Sequence, residues 1–199
     1  MPKKLSAQAR ARKIKLLLFD VDGVLTDGKL FFLPDRETSD QPSQLTAKGS
    51  IEFKGFHAHD GVATSLARAG GLRSGIITRR FSETVALRAR DLRLEFVQQA
   101  SQDKGATLCE IAKQAGLKSE EIAFVGDDIV DLSAMRAGGL AIAVQNARPE
   151  VKKEAHYTTP HAGGDGALRD AVEFILKAQG KFKQAMDDYL AGKTANPGN

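Results

Sequence analysis

Two carboxylates stand one residue apart in the segment Asp20-Val21-Asp22-Gly23, directly after a short apolar run. In an extended segment, residues two apart point the same way, so both side chains are expected to face one site. A pair of this kind can bind a hard cation and divide the roles of nucleophile and proton donor. An Asp-rich turn without chemistry is the alternative, and this motif alone leaves both interpretations open.

A second acidic segment, Gly126-Asp127-Asp128-Ile129-Val130-Asp131, also follows an apolar run. Three carboxylates at the end of a buried strand repel each other strongly unless a cation neutralises them. A helix-capping role explains Asp131 well, but it explains Asp127 and Asp128 less easily. The segment therefore favours a metal site.

Two further residues suit a phosphate group. Thr78 ends one apolar run and Lys104 opens a helical pattern. A hydroxyl group can donate a hydrogen bond to a phosphate oxygen, and an ammonium group supplies a point charge. Either residue alone is weak evidence, but the four elements in this order form a specific combination.

Short apolar runs alternate with helical patterns along the chain, which predicts an α/β fold: a doubly wound, Rossmann-like parallel sheet with helices on both faces. Ligands of such sheets bind at the carboxyl ends of the strands. The predicted strands are 15–19, 74–78, 95–97, 122–125 and 140–144. The predicted helices are 61–69 with Asp60 as its N-cap, 83–90, 104–115, one from Asp131 to Gly138, and 166–177.

The segments 30–33 and 51–56 look like the arms of a protruding β-hairpin, joined by a polar loop over 34–50. Neither the span from Gly23 to Ile77 nor that from Arg79 to Asp103 has room for a separate cap domain. The expected organisation is a basic N-terminal arm over 1–14, a hydrolase-type domain over 15–180, and a C-terminal helix and disordered tail over 181–199.

Composition narrows the function classes. The chain has 199 residues, 42% apolar and 27% charged, which fits one globular domain rather than a disordered or membrane protein. A net charge of +4 is too mild to argue for nucleic acid. The single cysteine, Cys109, allows no intrachain disulfide and is expected to be a small core residue. No segment has the pattern of a signal peptide, so a cytoplasmic location is expected.

The motifs resemble those of the haloacid dehalogenase superfamily: F-D-V-D-G-V-L-T-D-G from Phe19, I-I-T ending at Thr78, the single Lys104, and V-G-D-D-I-V-D-L from Val125. Within it, the chain is similar to the capless subfamily of 3-deoxy-D-manno-octulosonate 8-phosphate phosphatases. The shared features include the G-V-L-T-D-G extension, Asp60-Gly61 and the glycine-rich segment 163–169. The similarity covers about residues 15 to 178.

The resemblance implies a phosphatase with an aspartyl-phosphate intermediate. Asp20 would be the nucleophile, and Asp22 would protonate the leaving alcohol and then activate water. Thr78 and Lys104 would hold the phosphoryl oxygens, and Arg80 would bind the substrate. This assignment suits phosphoryl transfer, which depends on positioning and on neutralised charge.

The resemblance also implies a magnesium site. Asp20, Asp127 and the backbone carbonyl of Asp22 would bind Mg²⁺, while Asp128 and Asp131 would surround these ligands without binding the ion. Magnesium commonly uses few carboxylates together with substrate phosphate. The expected substrate is an acidic sugar phosphate, 3-deoxy-D-manno-octulosonate 8-phosphate, and the related phosphatases are tetramers, so a homotetramer is expected. Neither nucleic acid nor a membrane is an expected partner.

Alternatives remain. The substrate could be a related nonulosonate 9-phosphate, or the chain could be a non-catalytic, phosphatase-like assembly domain. A phospho-receiver domain is disfavoured, because receivers begin with the acidic pair and phosphorylate a later strand.

Three positions depart from the family pattern: Arg79 and Ala100 replace common glycines, and Asp165 replaces a common arginine.

Overall fold

A six-stranded parallel sheet forms the centre of the computed structural model, which describes residues 5–34 and 50–193. The strands are β1 Leu16–Phe19, β2 Phe31–Pro34, β3 Ser50–Phe53, β4 Arg73–Ile77, β5 Phe96–Gln98, β6 Ile122–Gly126, β7 Leu140–Ala143 and β8 Tyr157–Thr158. The helices are α1 Ala7–Ala11, α2 Ala58–Ala69, α3 Glu83–Asp91, α4 Lys104–Ala115, α5 Leu132–Ala137, α6 Pro149–Glu154, α7 Ala167–Ala178 and α8 Phe182–Leu190.

The strand order is β5-β4-β1-β6-β7-β8, with β1 between β4 and β6. All four residues of β1 are buried, as are all residues of β6 and β7, because helices cover both faces of the sheet. Phe19 lies beside Ile76 of β4 and Val125 of β6, so the segments after these strands emerge together. The predicted doubly wound α/β fold is confirmed.

Helix α7 closes one face of this sheet. Its six predicted apolar positions are all buried, namely Ala167, Leu168, Ala171, Val172, Ile175 and Leu176. Asp60 was predicted to cap α2, and this prediction is wrong, because α2 begins at Ala58 and the His57 side chain accepts a hydrogen bond from the His59 N–H. Asp60 is fully buried and instead accepts hydrogen bonds from the backbone of Gly166 (3.3 Å) and Arg169 (3.1 Å) at the start of α7.

The predicted basic arm contains a packed helix, α1. Ser6 caps it, Ala11 is fully buried, and the Arg10 guanidinium donates to the Gly139 carbonyl at 2.7 Å. Cys109 was expected in the core but is exposed, because α4 turns Leu108 and Ile111 inward. The chain before residue 5 and after residue 193, including the predicted disordered end, lies outside the described residues.

Strands β2 and β3 form the predicted hairpin, an antiparallel pair separate from the main sheet. The loop predicted over 34–50 lies almost wholly outside the described residues. Among the helices in the described part of the chain, none combines the length and the apolar character needed to span a bilayer.

Candidate active site

The carboxyl ends of three neighbouring strands bring the predicted chemistry together. Asp20 follows β1, Thr78 follows β4 and Asp127 follows β6. Lys104 is the first residue of α4, whose N-cap Asp103 accepts hydrogen bonds from the backbone of Gly105 and Ala106. The parallel pairing of the sheet thus converts motifs far apart in sequence into one cluster.

Lys104 lies between two carboxylates. Its ammonium nitrogen is 2.7 Å from Asp20 Oδ2 and 2.6 Å from Asp131 Oδ1, and the whole residue is 1% exposed. The other Asp20 oxygen accepts a hydrogen bond from the Val21 N–H at 2.7 Å. A buried ammonium flanked by two carboxylates is held firmly, because leaving either charge unpaired in the interior costs several kcal/mol.

Asp131 uses both of its carboxylate oxygens for this framework. Oδ1 contacts Lys104, and Oδ2 accepts the backbone N–H groups of Asp127 (2.9 Å) and Asp128 (3.4 Å). The exposed Asp128 carboxylate accepts from the Ile129 N–H at 2.7 Å. Both Asp131 oxygens are thus engaged by Lys104 and backbone N–H groups, and one Asp128 oxygen is engaged by the Ile129 N–H.

Asp127 is different, because its Oδ1 is buried and has no hydrogen-bond partner. Oxygen atoms of Asp20, Asp127 and Asp131 all lie within 4.8 Å of one another. Gly23 faces this group with a positive φ of 91°, and a Cβ atom there would collide with the Asp127 carboxylate. An orphaned carboxylate oxygen among other carboxylates fits an oxygen-seeking divalent cation such as Mg²⁺.

The electrostatics of the cluster follow from burial and like charge. Burial raises the pKa of Asp20 to about 7, and the Asp131 carboxylate adds to this effect while Lys104 opposes it. The pKa of Asp127 is also raised to about 7. Burial is the largest cause, and the negative charges of Asp131 and Asp20 add to it. Burial alone would lower the pKa of Lys104, but the facing carboxylates outweigh it, so the net shift is upward and the ammonium stays charged.

Thr78 is 3% exposed, and its backbone is fixed by hydrogen bonds with Gln98 O (2.9 Å) and Ser101 N (3.0 Å). Arg80, two residues later, contacts Asp22 and Glu52. Its Nη2 is 2.9 Å from Glu52 of the hairpin, and its Nε is 3.7 Å from Asp22 Oδ2. Thr78 therefore lies at a strand end, whereas Arg80 lies between Asp22 and the hairpin.

The sequence interpretation missed two residues beside Asp22. The side chain of Lys54 is fully buried, and its ammonium contacts Asp22 Oδ1 and lies 3.4 Å from Glu52 Oε1. Glu52 in turn binds Arg80. The sequence did contain a signal for these two residues. Side chains alternate along a strand, so residues 52 and 54 share one face, and both are charged while the neighbouring residues 51 and 53 are apolar.

The glycine-rich segment 163–169 packs directly against the loop that follows β1 and carries Asp20 and Asp22. Gly164 donates its N–H to Val24 O at 3.0 Å, and Gly163 donates to the side chain of Asn146 at 2.9 Å. A Cβ atom at Gly163 would overlap the carbonyl of Gly23. Gly163 is therefore needed for the close approach between the two backbones.

The three departures from the family pattern have different consequences. Arg79 is exposed and its φ is not positive, so this backbone does not need glycine. Ala100 has φ 58°, a conformation that favours glycine. Asp165 places a carboxylate 3.8 Å from His57 Nε2.

Comparison with known proteins first defines the class. Residues 76–169 match the family described as haloacid dehalogenase-like hydrolase. The 3-deoxy-D-manno-octulosonate 8-phosphate phosphatase KdsC of Escherichia coli K12 is 33% identical over 177 residues, covering 89% of this chain and 87% of that protein.

Two solved structures extend the comparison. The 3-deoxy-D-manno-octulosonate 8-phosphate phosphatase of Yersinia pestis has a TM-score of 0.78 and 32% identity, covering 89% of this chain and 88% of that one. The enzyme of Moraxella catarrhalis, in complex with magnesium, phosphate and a KDO molecule, has a TM-score of 0.79 and 33% identity over 94% and 97% of the two chains. This chain belongs to the haloacid dehalogenase-like hydrolases and, within them, to the family of 3-deoxy-D-manno-octulosonate 8-phosphate phosphatases.

Proposed function

We propose that the protein is a Mg²⁺-dependent phosphatase that hydrolyses 3-deoxy-D-manno-octulosonate 8-phosphate through an aspartyl-phosphate at Asp20. The observation that carries this proposal is the group formed by the buried Asp20, Lys104 and Asp131 and the half-buried Asp127, in which the buried Oδ1 of Asp127 has no partner. A carboxylate beside a fixed ammonium and an unsatisfied anionic oxygen suits phosphoryl transfer, where charge must be neutralised and groups aligned.

The first half of the reaction uses Asp20 and Asp22. An oxygen of Asp20 bonds to phosphorus while the ester P–O bond breaks, and the electron pair goes to the sugar oxygen. That oxygen takes a proton from Asp22, the other carboxyl on the same loop. The Lys104 ammonium, 2.7 Å from Asp20, keeps the nucleophile in place and is available to the phosphoryl oxygens together with Thr78.

The second half regenerates the enzyme. A water molecule attacks phosphorus, Asp22 takes the proton of the water, and the Asp20 carboxylate leaves with the electron pair as inorganic phosphate is released. Asp20, Asp127 and the backbone carbonyl of Asp22 would hold the magnesium ion, which when bound supplies positive charge against the phosphoryl oxygens. Asp131 keeps Lys104 and the Asp127 backbone in position for both steps.

The substrate assignment draws on the relatives and on Arg80. The relatives are named for 3-deoxy-D-manno-octulosonate 8-phosphate, and the Moraxella enzyme was solved with a KDO molecule. The Arg80 guanidinium pairs with the Glu52 carboxylate beside Asp22, and a guanidinium at this place can also bind the carboxylate of an acidic sugar. We expect Arg80→Ala to lose more activity on this acidic sugar phosphate than on a small uncharged ester, and equal losses would contradict the role of Arg80.

The decisive test is phosphate release by the purified protein with and without Mg²⁺. Activity should require Mg²⁺, should vanish with a chelator, and should be lost in Asp20→Asn. Asp91→Asn is the matched control, because Asp91 is an exposed carboxylate on α3 that pairs with Arg88. A folded Asp20→Asn protein with undiminished turnover would refute the proposed mechanism.

We also propose that the protein works as a homotetramer in the cytoplasm. What supports assembly is the hairpin, whose six large apolar side chains are all at least 40% exposed: Leu30, Phe31, Phe32, Leu33, Ile51 and Phe53. A two-stranded hairpin of this kind is unfavourable alone in water. Hairpins of neighbouring chains can cover each other and shield a site over which the described residues form no cap domain.

A further inference from the structure

Lys54 has a fully buried side chain, which the reaction proposed above does not use. It lies one residue beyond β3, where the hairpin returns to the main domain. Its side chain has no solvent exposure, and its ammonium contacts Oδ1 of Asp22 and lies 3.4 Å from Glu52 Oε1. Burying a lysine side chain is uncommon unless its charge is paired, so its position depends on these two carboxylates.

Lys54 belongs to a closed ring of alternating charges. Lys54 joins Asp22 to Glu52, Glu52 joins Lys54 to Arg80, and Arg80 Nε lies 3.7 Å from Asp22 Oδ2. The ring links the loop after β1, strand β3 and the loop after β4. Lys54 is its most buried member, since the side chain of Arg80 is 43% exposed. The position of the Asp22 carboxylate is therefore set mainly by Lys54.

From this geometry we infer that Lys54 is a positioning residue for Asp22: it holds Oδ1 and thereby directs Oδ2 toward the reacting oxygen. The inference rests on the proposed role of Asp22 as proton donor and acceptor. An aspartate side chain that is only partly buried can rotate, and proton transfer requires it to lie within hydrogen-bond distance of the leaving group. The hairpin thus contributes to catalysis within its own chain, in addition to any part in assembly.

If Lys54 positions Asp22, the activity lost on replacing Lys54 should depend on the leaving group of the substrate. A sugar alkoxide needs a proton as the ester bond breaks, whereas a 4-nitrophenolate leaves without one. The first step with 4-nitrophenyl phosphate should therefore not need a well-placed Asp22. Attack of water on the aspartyl-phosphate needs Asp22 as base, whichever substrate formed the intermediate.

The test compares Lys54→Met with Lys29→Met on both substrates. Lys29 is a matched control, because it lies at the start of the same hairpin region and pairs with Asp27 at 2.9 Å but is exposed. For Lys54→Met we expect kcat/KM on the sugar phosphate to fall about 10- to 100-fold, part of the typical contribution of a general acid. We expect kcat/KM on 4-nitrophenyl phosphate to stay within about threefold, with a lower kcat and a burst of nitrophenol.

Two comparisons make the result decisive. If Lys54→Met lowers kcat/KM equally on both substrates, or on neither, Lys54 does not act through Asp22 and the inference is wrong. Asp22→Asn tests the proposed function separately: if it shows no dependence on the leaving group, the assigned role of Asp22 fails. Should Lys54→Met not fold, Lys54→Gln, whose uncharged side chain is one atom too short to hold Asp22 Oδ1 in the same place, must show the same selective loss on the sugar phosphate.

Discussion

At the scale of single residues, Asp127 links the electrostatics of the site to its metal. Its buried Oδ1 has no partner, and its pKa is raised to about 7, as is that of Asp20. In the metal-free protein, both carboxyls hold protons more tightly than in the unfolded chain, where their pKa is near 3.8. The tighter proton binding by these two carboxyls stabilises the folded protein at low pH. This stabilisation is lost as the pH rises from about 4 through about 7.

Magnesium should reverse that loss, because it binds the ionised carboxylates. We expect the increase in Tm on adding Mg²⁺ to be larger at pH 8 than at pH 6, since protons compete with the ion below about pH 7. Thermal melts with Mg²⁺ or chelator at three pH values test this. Asp127→Asn should abolish the Mg²⁺ effect and raise the Tm of the metal-free protein, because it removes a like charge. A pH-independent magnesium effect would contradict this account.

The backbone conformation of Ala100 leads to a separate prediction. Its φ of 58° is unfavourable for any residue with a Cβ atom, and its side chain is exposed. We expect Ala100→Gly to stabilise the protein by about 0.5–1 kcal/mol, as relief of the left-handed strain exceeds the entropy lost by glycine. Ala106→Gly, in helix α4, should destabilise by a similar amount. Urea denaturation measures both, and a destabilising Ala100→Gly would show that no strain is present.

Residue types and spacing sufficed to predict that Asp20, Lys104 and Asp127 meet, because each follows a strand or begins a helix in a recognisable pattern. Lys54 could not be predicted in this way. Its contact with Asp22 spans 32 residues and depends on how the hairpin returns to the domain. Pairing across such a distance is set by tertiary packing, which local patterns do not encode.

At the scale of elements, Asp60 joins α2 to the start of α7. It accepts hydrogen bonds from two backbone N–H groups of the glycine-rich segment 163–169, which packs on the loop after β1. Asp60→Ala should lower the free energy of unfolding by about 1–2 kcal/mol, because the first turn of α7 loses its cap. Asp165→Ala, at an exposed carboxylate in the same turn, should change it by less than about 0.5 kcal/mol. Equal urea midpoints for the two variants would contradict this role of Asp60.

The elements themselves were predictable where they are long and periodic. Helix α4 has the predicted limits, with Asp103 as its cap and Gly116 as its end. Strand β8 was missed because it has only two residues and is defined by pairing with β7 rather than by its own pattern. Helix α1 was not predicted, because its segment is rich in basic residues and Ala11 is the one residue of the helix that is buried.

At the scale of the whole molecule, the hairpin has two unlike faces. Phe31 pairs with Phe53 and Leu33 with Ile51, so these four apolar side chains share one face. The rings of Phe31 and Phe53 are stacked with centroids 5.1 Å apart. The opposite face carries Phe32 and Glu52, which contact Arg80. Because the second face contacts Arg80 of its own chain, the proposed contact with another subunit is assigned to the first face.

Assembly through the first face makes a specific prediction. Phe53→Ser removes a large aromatic side chain from its centre, and we expect the mass measured by light scattering to fall from about four times 21.4 kDa toward the monomer. Leu190→Ser is the control, because Leu190 is also exposed and apolar but lies on α8. It should leave the assembly unchanged. If the unsubstituted protein is a fully active monomer at working concentration, or if Phe53→Ser stays tetrameric, assembly through this hairpin face is excluded.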